Sequence, residues 1–202
     1  DETVKIDDAT ALASQVNTIA KATKGIVTAT VAANTADVLV ANLKDATATD
    51  DLTLTVNGTD AKASDLNTLV GKTNLAIDVG AVAINGNIAD VTKVFITNAD
   101  NFTSEQDNNV TISGTVTAAQ ADSIADKTTA AVTANIAAAT AASLNAALVD
   151  ANAGANAYTL IVNGATAAAT DLNALDLKTS EAIKVDAKEI TGEQADLNTL
   201  FV

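Results

Sequence analysis

Short stretches of the chain alternate apolar and polar residues, and each is followed by a stretch with helical spacing. Val4-x-Ile6, Leu52-x-Leu54-x-Val56 and Ile183-x-Val185 repeat with period two, with Thr, Lys or Asp between, as a strand with one buried face does. The helical stretch is clearest at Ser64-Asp65-Leu66-Asn67-Thr68-Leu69-Val70-Gly71-Lys72-Thr73. Its spacing predicts a short helix with Ser64 as N-cap, Asp65 in the first turn and Leu66 and Leu69 facing inward. It returns as Thr170 to Thr179, with Thr170 as cap, and as Ala195 to Leu200. Looser copies stand at Ala89 to Val94 and Ala121 to Thr128. Helices this short are not stable alone, so neighbours of the same kind must hold them.

The repetition has two levels. Leu52 to Gly58 aligns with Tyr158 to Gly164, Val4-Lys5-Ile6 with Val110-Thr111-Ile112, and Ile77 to Val94 with Ile183 to Leu200, all at an offset of 106. Val27 to Val31 matches Val132 to Ile136 at 105. Two tandem copies follow, residues 1–105 and 106–202, each a block of four coils within the usual length range of solenoid repeats. The coils open at Val4, Ile26, Leu52 and Ile77, then at Val110, Val132, Tyr158 and Ile183. Further apolar touches come at Val31, Ile84, Val116, Ile136 and Ile190. The Ala-rich run from Thr133 to Ala151 reads alone as one long helix. Its alignment with Val27 to Leu43 predicts strand, turn and then helix from about Thr140 to Asp150. An antiparallel sandwich is the other reading of the alternating stretches, but helical stretches between strands favour parallel pairing. The expected fold is therefore α/β: one continuous right-handed solenoid of eight coils, with short parallel strands on one side and short helices on the other. The polar segment Thr97 to Asn109 joins the copies as a surface loop, and the loops at 45–51 and 150–157 correspond.

Composition narrows the chemistry. Hydrophobic residues make up 48% but aromatics only 2%, so the core is built from Ala, Val, Ile and Leu. There is no Pro, Cys, Met, Trp or His, and all 11 basic residues are Lys. These absences exclude a Ser-His-Asp triad, a thiol nucleophile, an ordinary zinc site and a guanidinium clamp. Carboxylate pairs and Ser/Lys pairs are the remaining catalytic options, and no enzyme is expected. A net charge of −14 argues against nucleic acid and anionic membrane surfaces as partners. No apolar run reaches the roughly 20 residues of a membrane span. The acidic start Asp1-Glu2-Thr3 is unlike a signal peptide and reads as the mature end of a secreted chain or a cut within a longer one.

Three groups of residues offer chemistry. Asp7-Asp8, Asp50-Asp51 and the Asp100/Glu105/Asp107 loop supply oxygen atoms of the kind calcium takes, but none matches an EF-hand or a Gly-Gly-x-Gly-x-Asp repeat. No cofactor is expected, and solvated carboxylates that keep the chain soluble are the favoured reading. Thr28, Thr53, Thr111, Thr133 and Thr159 form an outward column on this alignment, interrupted by Lys5, Asp78 and Lys184, and β-propensity accounts for it. Asn67, Asn173 and Asn198 recur at one place in the coil, either as a ladder satisfying backbone groups or as exposed helix residues. Asn57, Asn101 and Asn109 stand in glycosylation sequons.

The repeated Ala/Ser-Asp-Leu-Asn-x-Leu-x-x-Lys-Thr, alternating with Ile-x-Gly-x-x-Ala-Asp-Leu/Val-x-x-Leu/Val, resembles tandem repeats of very large secreted bacterial surface proteins, those of cyanobacteria in particular. The resemblance covers nearly the whole chain and implies an extracellular or cell-surface role as stalk, surface layer or adhesin. It supplies no functional residues. Some of those proteins also carry haemolysin-type calcium repeats, which are absent here. A structural repeat protein is the expected function, with a calcium- or carbohydrate-binding module as the alternative. Sugar platforms are scarce, since Phe95, Phe102, Tyr158 and Phe201 are the only aromatics. Solenoid ends expose strand edges and apolar side chains, and no distinct polar cap is visible at either. Val4, Ile6, Leu197, Leu200 and Phe201 are the predicted end-to-end contacts, and the expected partners are further copies or adjacent repeats, head to tail.

Overall fold

A computed structural model describes residues 2–80, 83–149 and 154–201. The chain is mixed α/β, with eight α-helices and short ladders of parallel strands among these residues. It divides into two compact units, Asp1–Asn108 and Asn109–Val202.

The first unit runs β1 (Val4–Lys5), α1 (Ala13–Ala22), β2 (Val27–Thr30), α2 (Ala36–Asn42), β3 (Asp51–Thr53), β4 (Thr55–Val56), β5 (Asp60–Lys62), α3 (Ala63–Val70), β6 (Ile77–Val79), β7 (Ala83–Asn87), α4 (Ile88–Thr92) and β8 (Phe102–Thr103). Between α4 and β8 the chain makes a π-helical turn, Lys93–Thr97, and a 3-10 turn, Ala99–Asn101. Three narrow ladders result: β1-β2-β3, β4-β6-β8 and β5-β7. Alternation predicts a single column of strands. The chain instead turns at Asn57-Gly58, where Gly58 has φ 115°, and the next strand joins a different ladder.

The second unit repeats the plan with β9 (Val110–Val116), α5 (Ala118–Ala125), β10 (Val132–Ile136), α6 (Ala141–Ala147), β11 (Ala157–Thr159), β12 (Ile161–Val162), β13 (Thr166–Ala168), α7 (Ala169–Asp176), β14 (Lys184–Val185), β15 (Glu189–Thr191) and α8 (Gln194–Phe201). Its ladders are β9-β10-β11, β12-β14 and β13-β15. The Ala-rich run is strand, turn and helix: Thr140 caps α6 by accepting from the Ser143 N–H, and the expected end at Asp150 lies outside the described residues.

Inward residues of the strands and of the motif helices form the core. Leu52, Leu54, Val56, Leu66 and Leu69 are fully buried in the first unit, and Tyr158, Leu160, Val162 and Leu175 in the second. Small side chains let successive coils approach closely. A Cβ on Gly86 would lie 2.9 Å from the Ala63 Cβ, and one on Gly192 the same distance from the Ala169 Cβ. At these two places successive repeats therefore meet at a glycine on an alanine.

Two local expectations are corrected. Ser64 and Thr170 lie inside their helices and cap nothing, because α3 and α7 begin a residue earlier, directly from the strand ends Lys62 and Ala168. Side-chain caps appear instead at Asn87, Thr117 and Thr140, each accepting from the N–H three residues on. The threonine column is in register at one step only, Thr111 beside Thr133. Thr28 stands between Lys5 and Asp51, Thr53 beside Thr30, and Thr159 beside Asn135, so the row does not run through all the named residues.

Candidate functional site

The recurring helix motif works as a four-way junction. Leu66 and Leu69 enter the core. Asn67 donates its side-chain amide to the Asp90 carbonyl in the next helix at 3.0 Å, and Asn173 does the same to Asp196 at 3.0 Å. Of the two readings of these asparagines, bonding to backbone groups holds for Asn67 and Asn173, and each bond ties one helix to the next. Lys72 reaches back to the carbonyls of Lys44 at 2.8 Å and Ala46 at 3.2 Å, and Lys178 to those of Asn145 and Leu148. An ammonium group suits such carbonyls: Lys44 and Ala46 lie in the loop after α2, and Asn145 and Leu148 at the C-terminal end of α6. Thr73, buried, accepts from the Leu52 N–H at 3.0 Å and donates to the Leu52 carbonyl at 2.7 Å. Thr179 clips Tyr158 in the same way, at 2.9 Å in each direction. Each threonine fastens the end of a coil to the strand that opened it.

One copy of this junction escapes the motif reading. Ser14-Gln15-Val16-Asn17-Thr18-Ile19 precedes Thr23, and an offset of 50 from Ser64 reveals it. Val16 is buried, Asn17 bonds Asp45 of the following coil, and Thr23 donates to the Glu2 carbonyl at 3.0 Å. Two coils close with a different residue. The Asp50 carboxylate accepts from the Val27 N–H at 2.8 Å, and the Asn156 side chain from the Val132 N–H at 2.8 Å. Among the described residues no buried side-chain nitrogen or oxygen lacks a partner.

The five predicted end residues lie in the first and last repeats of the sequence. At the start Val4 and Ile6 are half-buried, and Val4 lines an open groove of about 600 Å³ with Glu2, Thr18, Ile19 and Ala22. At the end Leu197 and Leu200 are half-buried, and Phe201 is 70% exposed. Their counterparts one copy earlier are Val91, Val94 and Phe95, at 0%, 0% and 3%. Ile183, Val185 and Ile190 belong to the same uncovered set: they are half-buried where Ile77, Val79 and Ile84 are fully buried. α8 buries no residue fully. Asn198, the last motif asparagine, is exposed and stands where Asn67 and Asn173 reach into a following helix.

Three of the calcium candidates have partners of their own. Asp50 holds the N–H groups of Val27 and Thr47, Asp51 accepts from the Asn74 amide at 2.8 Å, and Asp7 pairs with Lys5 at 2.8 Å. Among the described residues no three acidic groups are arranged to hold a metal ion. Asp37, Asp60 and Asp65 do line one shallow cleft of about 250 Å³ together with Lys62. There the Thr35 hydroxyl, and next the Val38 N–H, hold the Asp37 carboxyl below its ordinary value. A carboxyl so held stays ionised near neutrality. Of the sequon asparagines, Asn57 and Asn109 are exposed and Asn101 half-buried. Among the described residues no helix is long and apolar enough to cross a membrane. Comparison of the chain with known protein families, curated proteins and solved structures gives no match.

Proposed function

We propose that the chain is a structural repeat protein whose units are four-coil blocks of a right-handed solenoid, eight coils in all. It assembles through its terminal coils as part of an extracellular stalk, surface layer or filament. The observation that carries this reading is the contrast between matched positions: Phe95 is 3% exposed and Phe201 70%, with the same contrast running through the other apolar residues of that coil. An apolar surface that is covered in one copy and bare in the other is a surface made to be covered. The acidic, cysteine-free composition and the resemblance to secreted bacterial repeats support an extracellular place. The N-terminal face of one molecule meets the C-terminal face of another. Such a contact is heterologous and builds an open fibre unless its rotation closes a ring.

Sedimentation velocity over a range of protein concentration tests this. The natural chain is expected to form larger species as concentration rises. A chain with Val4→Lys and Ile6→Lys is expected to keep its circular-dichroism spectrum and sediment as a monomer. A natural chain that stays monomeric throughout, or a double variant that assembles unchanged, overturns the reading.

A further inference from the structure

The first unit shows what covers a fourth coil. Its β6 has β4 on one side, with Thr55 opposite Asp78 and Val56 opposite Val79. On its other side lies β8, with Phe102 opposite Ile77 and Thr103 opposite Asp78. Phe102 is 5% exposed. Asn108, buried, completes the cover by donating from its side chain to the Val79 carbonyl at 3.3 Å. In the second unit β14 has the matching partner, β12, with Ile161 opposite Lys184 and Val162 opposite Val185. Among the described residues its other edge has no strand beside it. The alignment that matches Ile77 to Ile183 also matches Phe95 to Phe201, the point from which the cover departs in the first unit.

From this we infer that the last coil is a strand-acceptor site, and that its occupant is an extended polypeptide segment of the chemistry of residues 95–108. That means a phenylalanine followed by a hydroxyl residue, with an asparagine six residues after the phenylalanine. The incoming strand adds in parallel to the free edge of β14. Its phenylalanine lies opposite Ile183 and its asparagine amide reaches the Val185 carbonyl, so backbone pairing supplies adhesion and the phenylalanine specificity. The inference rests on the reading that the terminal coils are assembly surfaces, and it adds beside the head-to-tail contact a strand that residues 2–12 do not supply, since they hold neither phenylalanine nor asparagine. Side-chain identity favours this occupant: Ile183, Val185, Ile190 and Phe201 repeat Ile77, Val79, Ile84 and Phe95, so the same strand meets the same surface.

A labelled synthetic peptide of residues 95–109 is titrated into the full chain carrying Val4→Lys and Ile6→Lys, and anisotropy is read. Saturable binding is expected, weakened at least tenfold by Phe102→Ala in the peptide and by Val185→Lys in the chain. Phe201→Ala in the chain removes an exposed side chain without touching the core, and it is expected to weaken binding as well. No binding, or binding indifferent to Phe102, overturns the inference. So does binding that survives both chain variants. If the peptide fails while the natural chain still assembles in sedimentation, the strand-acceptor site falls and end-to-end assembly stands. If the peptide binds and the natural chain never assembles, the strand-acceptor site stands and end-to-end assembly falls.

Discussion

Thr73 and Thr179 each satisfy both backbone groups of one strand residue, a role no apolar side chain of the same shape can take. Replacing either by valine keeps the volume and leaves a buried N–H without its acceptor, at a cost of about 1–3 kcal/mol. Urea denaturation of Thr73→Val and Thr179→Val is expected to show that loss with little change in slope. A change below about 0.5 kcal/mol would mean that other groups or water take over the bonds. At this scale the sequence is a partial guide. The repetition of Lys-Thr is visible in it, and so is a structural role for Asn67 and Asn173. That Lys72 reaches backward and Thr73 closes its own coil is not, because partners 21 to 28 residues away depend on how the coil folds back. Ser64 has the chemistry of a cap, yet a strand running straight into the helix moves the start to Ala63.

The motif helices show how position along the stack sets the worth of an identical side chain. Leu172 and Leu197 occupy the same place in the repeated Asp-Leu-Asn, yet Leu172 is 1% exposed and Leu197 half-buried. Leu172→Ala is therefore expected to cost about 2–5 kcal/mol, as deletions of a buried leucine do, and Leu197→Ala well under half of that. Thermal or urea unfolding of the two variants checks the ranking, and equal losses would show that α8 is covered in solution by something further. Strand and helix positions are legible from period two and from the motif, since both depend on local spacing alone. The split of each strand column into several ladders is not: β3 parts from β4 at Leu54 and β11 from β12 at Leu160, and only the next step, to β5 and β13, goes with the positive φ of Gly58 and Gly164. The copy of the motif in α1 is hidden by Val16 and Ile19 standing for leucine and by Gln15 standing for the acid.

For the molecule as a whole, charge opposes the proposed assembly. Each chain carries a net charge of −14, so chains meeting end to end repel one another. Added salt shortens the Debye length from ~10 Å at 0.1 M to ~3 Å at 1 M, which relieves that repulsion and leaves the apolar contact. Sedimentation is expected to show larger species as sodium chloride rises, and dissociation by salt would point instead to ion pairs as the glue. The uncovered terminal coil is legible only in part: Leu197, Leu200 and Phe201 stand out by their apolar character, whereas Ile183, Val185 and the free edge of β14 emerge from comparing burial between the copies. The threonine clip has one more consequence. It grips main-chain atoms, and the residue it holds is leucine at 52 and tyrosine at 158. A coil thus asks no particular side chain of the strand it fastens. Repeats fastened by this clip are interchangeable at that one joint, and a chain made of them can lengthen by copying a stretch of its own gene without a new clip having to be invented.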